Sequence, residues 1–402
     1  MRAPRIAGGL GAATLLGGGV WLGSRVLHAG EQSRTEPAAN ATPTTHRHGI
    51  AGAYLVLDKT AAAAPRDARD PRAFERAFAA DGPGWAAADA TVSVALPDRR
   101  TLWLFGDTLV RPAQTAGASQ PAMDFVRNSA VVQDGSRLTT VLGGSNDDPD
   151  SFLTPAHAGE WYWPGAATVE GDDVLVFMDR MARAGNGITG WDFESRGTDL
   201  VQLDARDLSV TDVQELPRSA KTSWGTALAS DERFTYVYGF QGGPDAFDRF
   251  AVVARAPKGH VGDAVFEYWD GHRWGTNEAA AAHVADGLST AFSVLPTPDG
   301  RWAMVSQGMF FGTALNVRTA DHPQGPWGPW RTIDAGPARS HALISYNALV
   351  HPESTADGKL LVSWNMNRAD AQIPDARHLD QYRARFRAVD AARLMDPVSE
   401  GR

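Results

Sequence analysis

The sequence predicts an all-β fold, a five-bladed β-propeller carried behind a short N-terminal targeting segment. Three observations predict it. From Ile50 onward no long helical period occurs, and short apolar runs are bounded by turn residues, the pattern of sandwiches, barrels and propellers. A strand–turn–strand pattern recurs five times, at intervals of roughly 55–75 residues, somewhat above the ~40–50 of an ordinary blade. Each hairpin is followed by one or two more strand-like runs. Four strands make a blade, and radial repetition hides the sheet edges. A plain β-sandwich is the competing fold.

The elements follow in chain order. Arg2 and Arg5 precede an apolar, glycine-rich run from Ile6 to Val26, interrupted near its end by Ser24 and Arg25. Residues 1–29 therefore read as a signal peptide or an uncleaved membrane anchor. Residues 30–48 are rich in Thr, Ala, Pro and charge without periodicity, a disordered linker that holds one glycosylation sequon, Asn40-Ala41-Thr42. Residues 49–398 are the propeller. Pro71 to Ala80 reads as one short amphipathic helix. The five hairpins are Asp89 to Asp107, Ala166 to Asp179, Thr226 to Phe240, Thr290 to Gln307 and Asn347 to Asn365. The runs Ala53–Leu57 and Tyr382–Phe386 lie near opposite ends of the chain and are expected to complete one blade together.

Composition narrows the function. The formal net charge of -9 argues against nucleic acid, whose phosphates need a basic surface, and against polyanionic substrates. With no cysteine there is no disulfide, thiol nucleophile or lipid-attached cysteine. The 13 tryptophans suit grooves that stack on the flat faces of sugar rings, although most Trp in a chain like this belong to the core. Neutral and cationic ligands remain open, a polysaccharide or oligosaccharide is the expected partner, and the protein is expected to be a monomer. Neither a metal nor a cofactor is expected: the sequence has no His-x-x-x-His pair, phosphate-binding glycine loop or Gly-x-Ser-x-Gly elbow.

In a propeller, the ends of the inner strands line the mouth of a central channel. Asp89 and Asp107 stand out there. Asp98, in the turn, is nine residues from each, so a regular hairpin sets the two directly opposite. Opposed residues have Cβ atoms ~4.5–5.5 Å apart and point to one side. Like charges so placed push their pKa values apart, leaving one a general acid and the other an anion, the pairing that glycoside hydrolysis uses. The bland reading is that either Asp only caps a turn. Candidates for sugar contact are Asn128, Trp163 beside Trp161, Trp224, Tyr346, and Asn365 with Asn367, all at blade ends. His351 and Glu353 flank Pro352 on the fifth blade's first strand. Glu353 and Glu170 are candidate third carboxylates.

The segments 88–97, 102–110 with its Phe105-Gly106-Asp107-Thr108, 127–135, 161–165 and 346–352 resemble a family of exported actinobacterial five-bladed propellers that includes endo-D-arabinanases, similar to glycoside hydrolase family 183. The resemblance covers most of the chain after about Ala51. Where that family more often has Asp-Leu-Gly, this chain reads Asp89-Ala90-Thr91. The resemblance implies that Asp89 and Asp107 are the essential carboxylates, and that the protein is secreted or anchored to the outer face of the cytoplasmic membrane. Two functions remain open. One is a glycoside hydrolase acting on a cell-envelope polysaccharide, an endo-D-arabinanase by the resemblance. The other is a non-catalytic glycan-binding propeller.

Overall fold

Residues 174–178, Val-Leu-Val-Phe-Met, show how the sequence builds this molecule. In a strand successive side chains point to opposite faces. Val174, Val176 and Met178 enter one core, Leu175 and Phe177 another. The run is apolar throughout because both faces of its sheet are covered. The computed structural model describes residues 54–113, 123–186, 192–218, 221–244, 248–308, 311–338, 342–369 and 377–395. The targeting segment and the linker lie outside the described residues.

Five antiparallel sheets follow one another. The first orders Val92–Ala95, Thr101–Phe105, Ser129–Asp134, Arg137–Gly144 and, outermost, Leu55–Thr60. The second runs Trp161–Glu170, Asp173–Ala182, Glu194–Asp204, Val210–Glu215. The third runs Ser223–Ser230, Phe234–Gly242, Arg249–Pro257, Glu267–Trp269, Trp274–Gly275. The fourth runs Phe292–Pro296, Trp302–Gln307, Leu315–Ala320, Arg331–Asp334, and the fifth Leu343–Ala356, Lys359–Arg368, Arg385–Asp390. All five hairpins expected from the sequence open these sheets.

The first strand of each sheet packs against the first strand of the next, and that of the fifth packs against that of the first. The buried cores follow the same order. One lies between the first and second sheets, with Leu104 and Val132 against Val174 and Val176. The next holds Phe177 and Trp224. A third joins Tyr238 to Phe292 and Met304, and a fourth Val305 to Val362 and Trp364. The last returns from Leu361 and Phe386 to Trp103 and Phe105.

The last core also takes in the helix Pro71–Phe78. Pro71 opens it, where a missing amide hydrogen costs no helical bond. Ala73, Phe74, Ala77 and Phe78 form its buried face. Phe78 meets Trp103 edge-on at 5.3 Å, and Phe74 stacks on Phe386 at 5.3 Å. Burying each such ring stabilises the fold by roughly 1.5–3 kcal/mol.

The expected pairing of the chain ends is corrected by these contacts. Leu55–Thr60 is the outer strand of the first sheet, in register with residues 137–142. Arg385–Asp390 is the outer strand of the fifth. An outer strand needs only one neighbour, and its own sequence does not say which edge supplies it.

Candidate functional site

The first hairpin continues beyond the core. Past its seam the chain forms a small sheet of Gly84–Ala88, Thr108–Arg111 and Asp124–Val126. On one side of the seam Val92 pairs with Leu104, and on the other Ala88 pairs with Thr108. The Gly106 amide donates to the Asp89 carbonyl at 3.0 Å. Asp89 and Asp107 therefore face each other across the seam, as their spacing implies.

Phe105-Gly106-Asp107-Thr108 is local physics. Phe105 anchors the segment in the aromatic core. At Gly106 a Cβ would stand 2.7 Å from Asp89 Oδ1, so only glycine leaves room for that carboxyl. The buried Thr108 hydroxyl donates to the Gly106 carbonyl at 2.7 Å and fixes the turn between them. Opposite, Ala90 takes φ 66°, a region costly for residues with a Cβ, and turns the strand out at Asp89.

The two carboxyls have different surroundings. Tyr346 donates its hydroxyl to Asp89 Oδ2 at 2.8 Å, and Tyr382, within hydrogen-bonding reach of the same carboxyl, donates to the main-chain oxygen of Asp107 at 2.9 Å. Burial first, then the charge of Asp107, pushes the Asp89 pKa far above the usual carboxylate range, towards neutrality. Asp107 Oδ1 accepts from Trp163 Nε1 at 2.9 Å, and Oδ2 lies 3.2 Å from Arg127 Nη1. Burial raises its pKa too, but Arg127 and the indole oppose the rise. The surroundings thus favour the proton on Asp89 and the charge on Asp107, which has the cation beside it. The Asp107 side chain is 20% exposed, so the pair opens to solvent.

An aromatic wall stands beside it. The Arg127 guanidinium lies 4.5 Å over the Trp161 ring and 5.2 Å over Phe125. Trp161 meets Trp163 edge-on at 6.1 Å, and Trp163 meets Phe193 at 4.8 Å. Trp161, Trp163, Phe125 and Phe193 are all half-buried, so each keeps some surface for a ligand.

The same device recurs in other sheets. Trp163 lies opposite Asp179, Trp224 opposite Gly239 and Tyr346 opposite Asn365, each just before the register shifts. Gly225 and Asn347, which follow Trp224 and Tyr346, have φ 75° and 50°. At Gly225 a Cβ would fall 2.0 Å from Phe177 Cγ. Such breaks re-aim the side chain beside them.

Of the candidates named from sequence, Asp89, Asp107, Trp163 and Tyr346 come together, and Asn367 hydrogen-bonds Tyr346. The others are corrected. Asn128 is buried and spends its amide on the Leu153 and Tyr162 carbonyls and the Leu153 amide hydrogen. Trp224 is buried, with its indole nitrogen on Glu278. His351 is buried between Ser93 and Ser363, and Glu353 bonds to Ser93, so both join the fifth sheet to the first. Asn365 is sealed behind Tyr346, taking the Thr91 hydroxyl at 2.6 Å. Glu170 receives the amides of Val261 and Gly262, near the hairpin turn of its own sheet. Sequence reasoning missed Arg127 and Tyr382. Arg127 directly precedes Asn128 and carries no signal of its own, and Tyr382 lies in a run expected only to form a strand.

Among the described residues no group of three His, Cys, Asp or Glu could hold a metal ion, and no helix is long and apolar enough to cross a membrane. A family model described as a domain of unknown function, DUF5005, matches residues 72–392. No curated protein matches the chain. Among solved structures, a Bacteroides ovatus protein inferred to be a hydrolase is 19% identical, with a TM-score of 0.61 over 79% of this chain and 88% of its own, and so shares the fold. An α-L-arabinofuranosidase from Lactobacillus brevis is 11% identical, with a TM-score of 0.42 over 76% of this chain and 90% of its own. A Bombyx mori β-fructofuranosidase is 10% identical, with a TM-score of 0.42 over 76% and 62%.

Proposed function

The chain belongs to the DUF5005 family, and from that premise we propose that it is an exported glycoside hydrolase, a five-bladed β-propeller that cleaves a cell-envelope polysaccharide of the D-arabinan class. The observation that carries the reading is the opposed pair Asp89 and Asp107, one carboxyl kept protonated and the other paired with Arg127. The cyclic order of the five sheets and their cores supports the propeller. Arg2 and Arg5 ahead of the apolar run support export.

Asp89 donates its proton to the glycosidic oxygen as the bond to the anomeric carbon breaks. Asp107 supplies the negative charge that faces the oxocarbenium-like transition state, and water then adds its oxygen to the anomeric carbon and gives up a proton that restores the pair. The Tyr346 hydroxyl holds the acid in place. Trp161 and Trp163 offer ring surface to a sugar face. D-arabinan comes from the resemblance at the segments around these residues, and the formal net charge of -9 agrees with a neutral polymer.

Thin-layer chromatography of digests on D-arabinan, xylan and galactan tests the proposal. Oligosaccharides released from D-arabinan are the expected result. No release from any of the three overturns it. Binding without release assigns the cleft to glycan capture, with the carboxyls as acceptors for sugar hydroxyls.

A further inference from the structure

Several aspartates among the described residues have evident structural work. Asp67, Asp98, Asp204, Asp231 and Asp270 each accept a main-chain amide two or three residues on, in turns. Asp179 does none of this. Its partners are two side-chain hydroxyls from different sheets: Ser195 donates to Oδ1 at 2.6 Å and Ser223 to Oδ2 at 3.2 Å. Among the described residues no Lys or Arg forms an ion pair with it. Each carboxylate oxygen can accept about two hydrogen bonds, so both keep a free acceptor position. The residue is half-buried.

Its place in the fold matches that of Asp107. Both lie towards the end of their hairpin away from the turn, Asp107 across the seam from Asp89 and Asp179 opposite Trp163. Asn365 holds the corresponding place in the fifth sheet but is closed off by Thr91. Trp163 links the two carboxylates, its indole N–H on Asp107 and its backbone across from Asp179. Resting on the glycosidase reading, we propose that Asp179 is a third carboxylate of the same cleft, a substrate-positioning group that accepts the hydroxyls of a sugar unit flanking the one cleaved. Burial lifts its pKa to about 6, with the serine hydroxyls, Arg218 and Arg180 opposing, so it is largely an anion at neutral pH.

Turnover of D-arabinan and calorimetric binding of D-arabino-oligosaccharides are measured for wild type, Asp107→Asn and Asp179→Asn. The substitution keeps shape and removes charge, and thermal unfolding monitors the fold. For Asp179→Asn, KM rises about tenfold or more, the scale of a lost hydrogen bond to a charged group. Its kcat stays within about threefold of wild type and the alkaline limb of the pH profile does not move, whereas Asp107→Asn loses kcat. Unchanged KM and unchanged oligosaccharide affinity overturn the assignment. So does a collapse of kcat with loss of the alkaline limb, which makes Asp179 itself the acid. If wild type binds the oligosaccharide without cleaving it and Asp179→Asn binds more weakly, the hydrolase reading fails and this inference stands. If wild type neither cleaves nor binds, both fail. Should Asp179→Asn not fold, Asp179→Ser reads the same quantities.

Discussion

Arg127 decides how the two opposed aspartates divide their labour. It and the Trp163 indole are the groups that oppose the burial-driven rise at Asp107. Replacing Arg127 with Gln leaves burial opposed by the indole alone, so the Asp107 pKa rises. The acidic limb of kcat/KM then moves to higher pH, which a pH–rate profile reads directly. An unmoved limb means that Asp107 is not the ionised partner. The aspartate pair was legible in the sequence because a period of two and a turn at Asp98 are local facts. Arg127 and Tyr382 were not, because their partners come from another strand or another sheet. Trp224 and Asn128 misled for a related reason. An indole buried against Glu278, or an amide spent on Leu153 and Tyr162, looks in sequence like one awaiting a sugar.

Among the elements, the helix Pro71–Phe78 separates stability from chemistry. Its Phe74 ring is buried against Trp103 and Phe386. Phe74→Ala should cost about 3–5 kcal/mol, transfer and cavity terms together. Denaturant titration measures the loss, and kcat per folded molecule should be unchanged. A loss below about 1 kcal/mol would show that the aromatic core does not depend on the helix. The helix was readable from its two phenylalanines four apart, and the five hairpins from apolar runs broken by Asp-containing turns such as Pro97-Asp98, Gly171-Asp172 and Asp357-Gly358. The outer strands were not, since Leu55–Thr60 finds its edge only once Arg137–Gly144 is in place. Nor was the turn-out of the first strands, because Ala90 at φ 66° has no sequence signature of its own.

At the scale of the whole molecule, the first and fifth sheets are joined by buried and part-buried polar contacts: Thr91 to Asn365, Ser93 to His351 and Glu353, Tyr346 to Asp89. His351 is the acid-sensitive member. Burial lowers its pKa to about 3 from 6.5. The folded chain therefore resists protonation that the unfolded chain accepts. Its contribution to stability is complete above pH 6.5 and is lost as the pH falls through the lowered folded value of about 3. His351→Gln should lower the Tm at pH 7 yet lose less of it between pH 6 and pH 4 than wild type does; parallel curves would contradict this role. The chemistry has its own direct test, the initial rate of reducing-end release from D-arabinan by wild type, Asp89→Asn and Asp107→Asn at equal folded concentration. Wild type should release oligosaccharides, and both variants should fall by at least ~10²-fold with thermal unfolding little changed, because Asn keeps the shape and loses the proton chemistry. An Asp107→Asn variant that cleaves at near-wild-type rate would contradict the account.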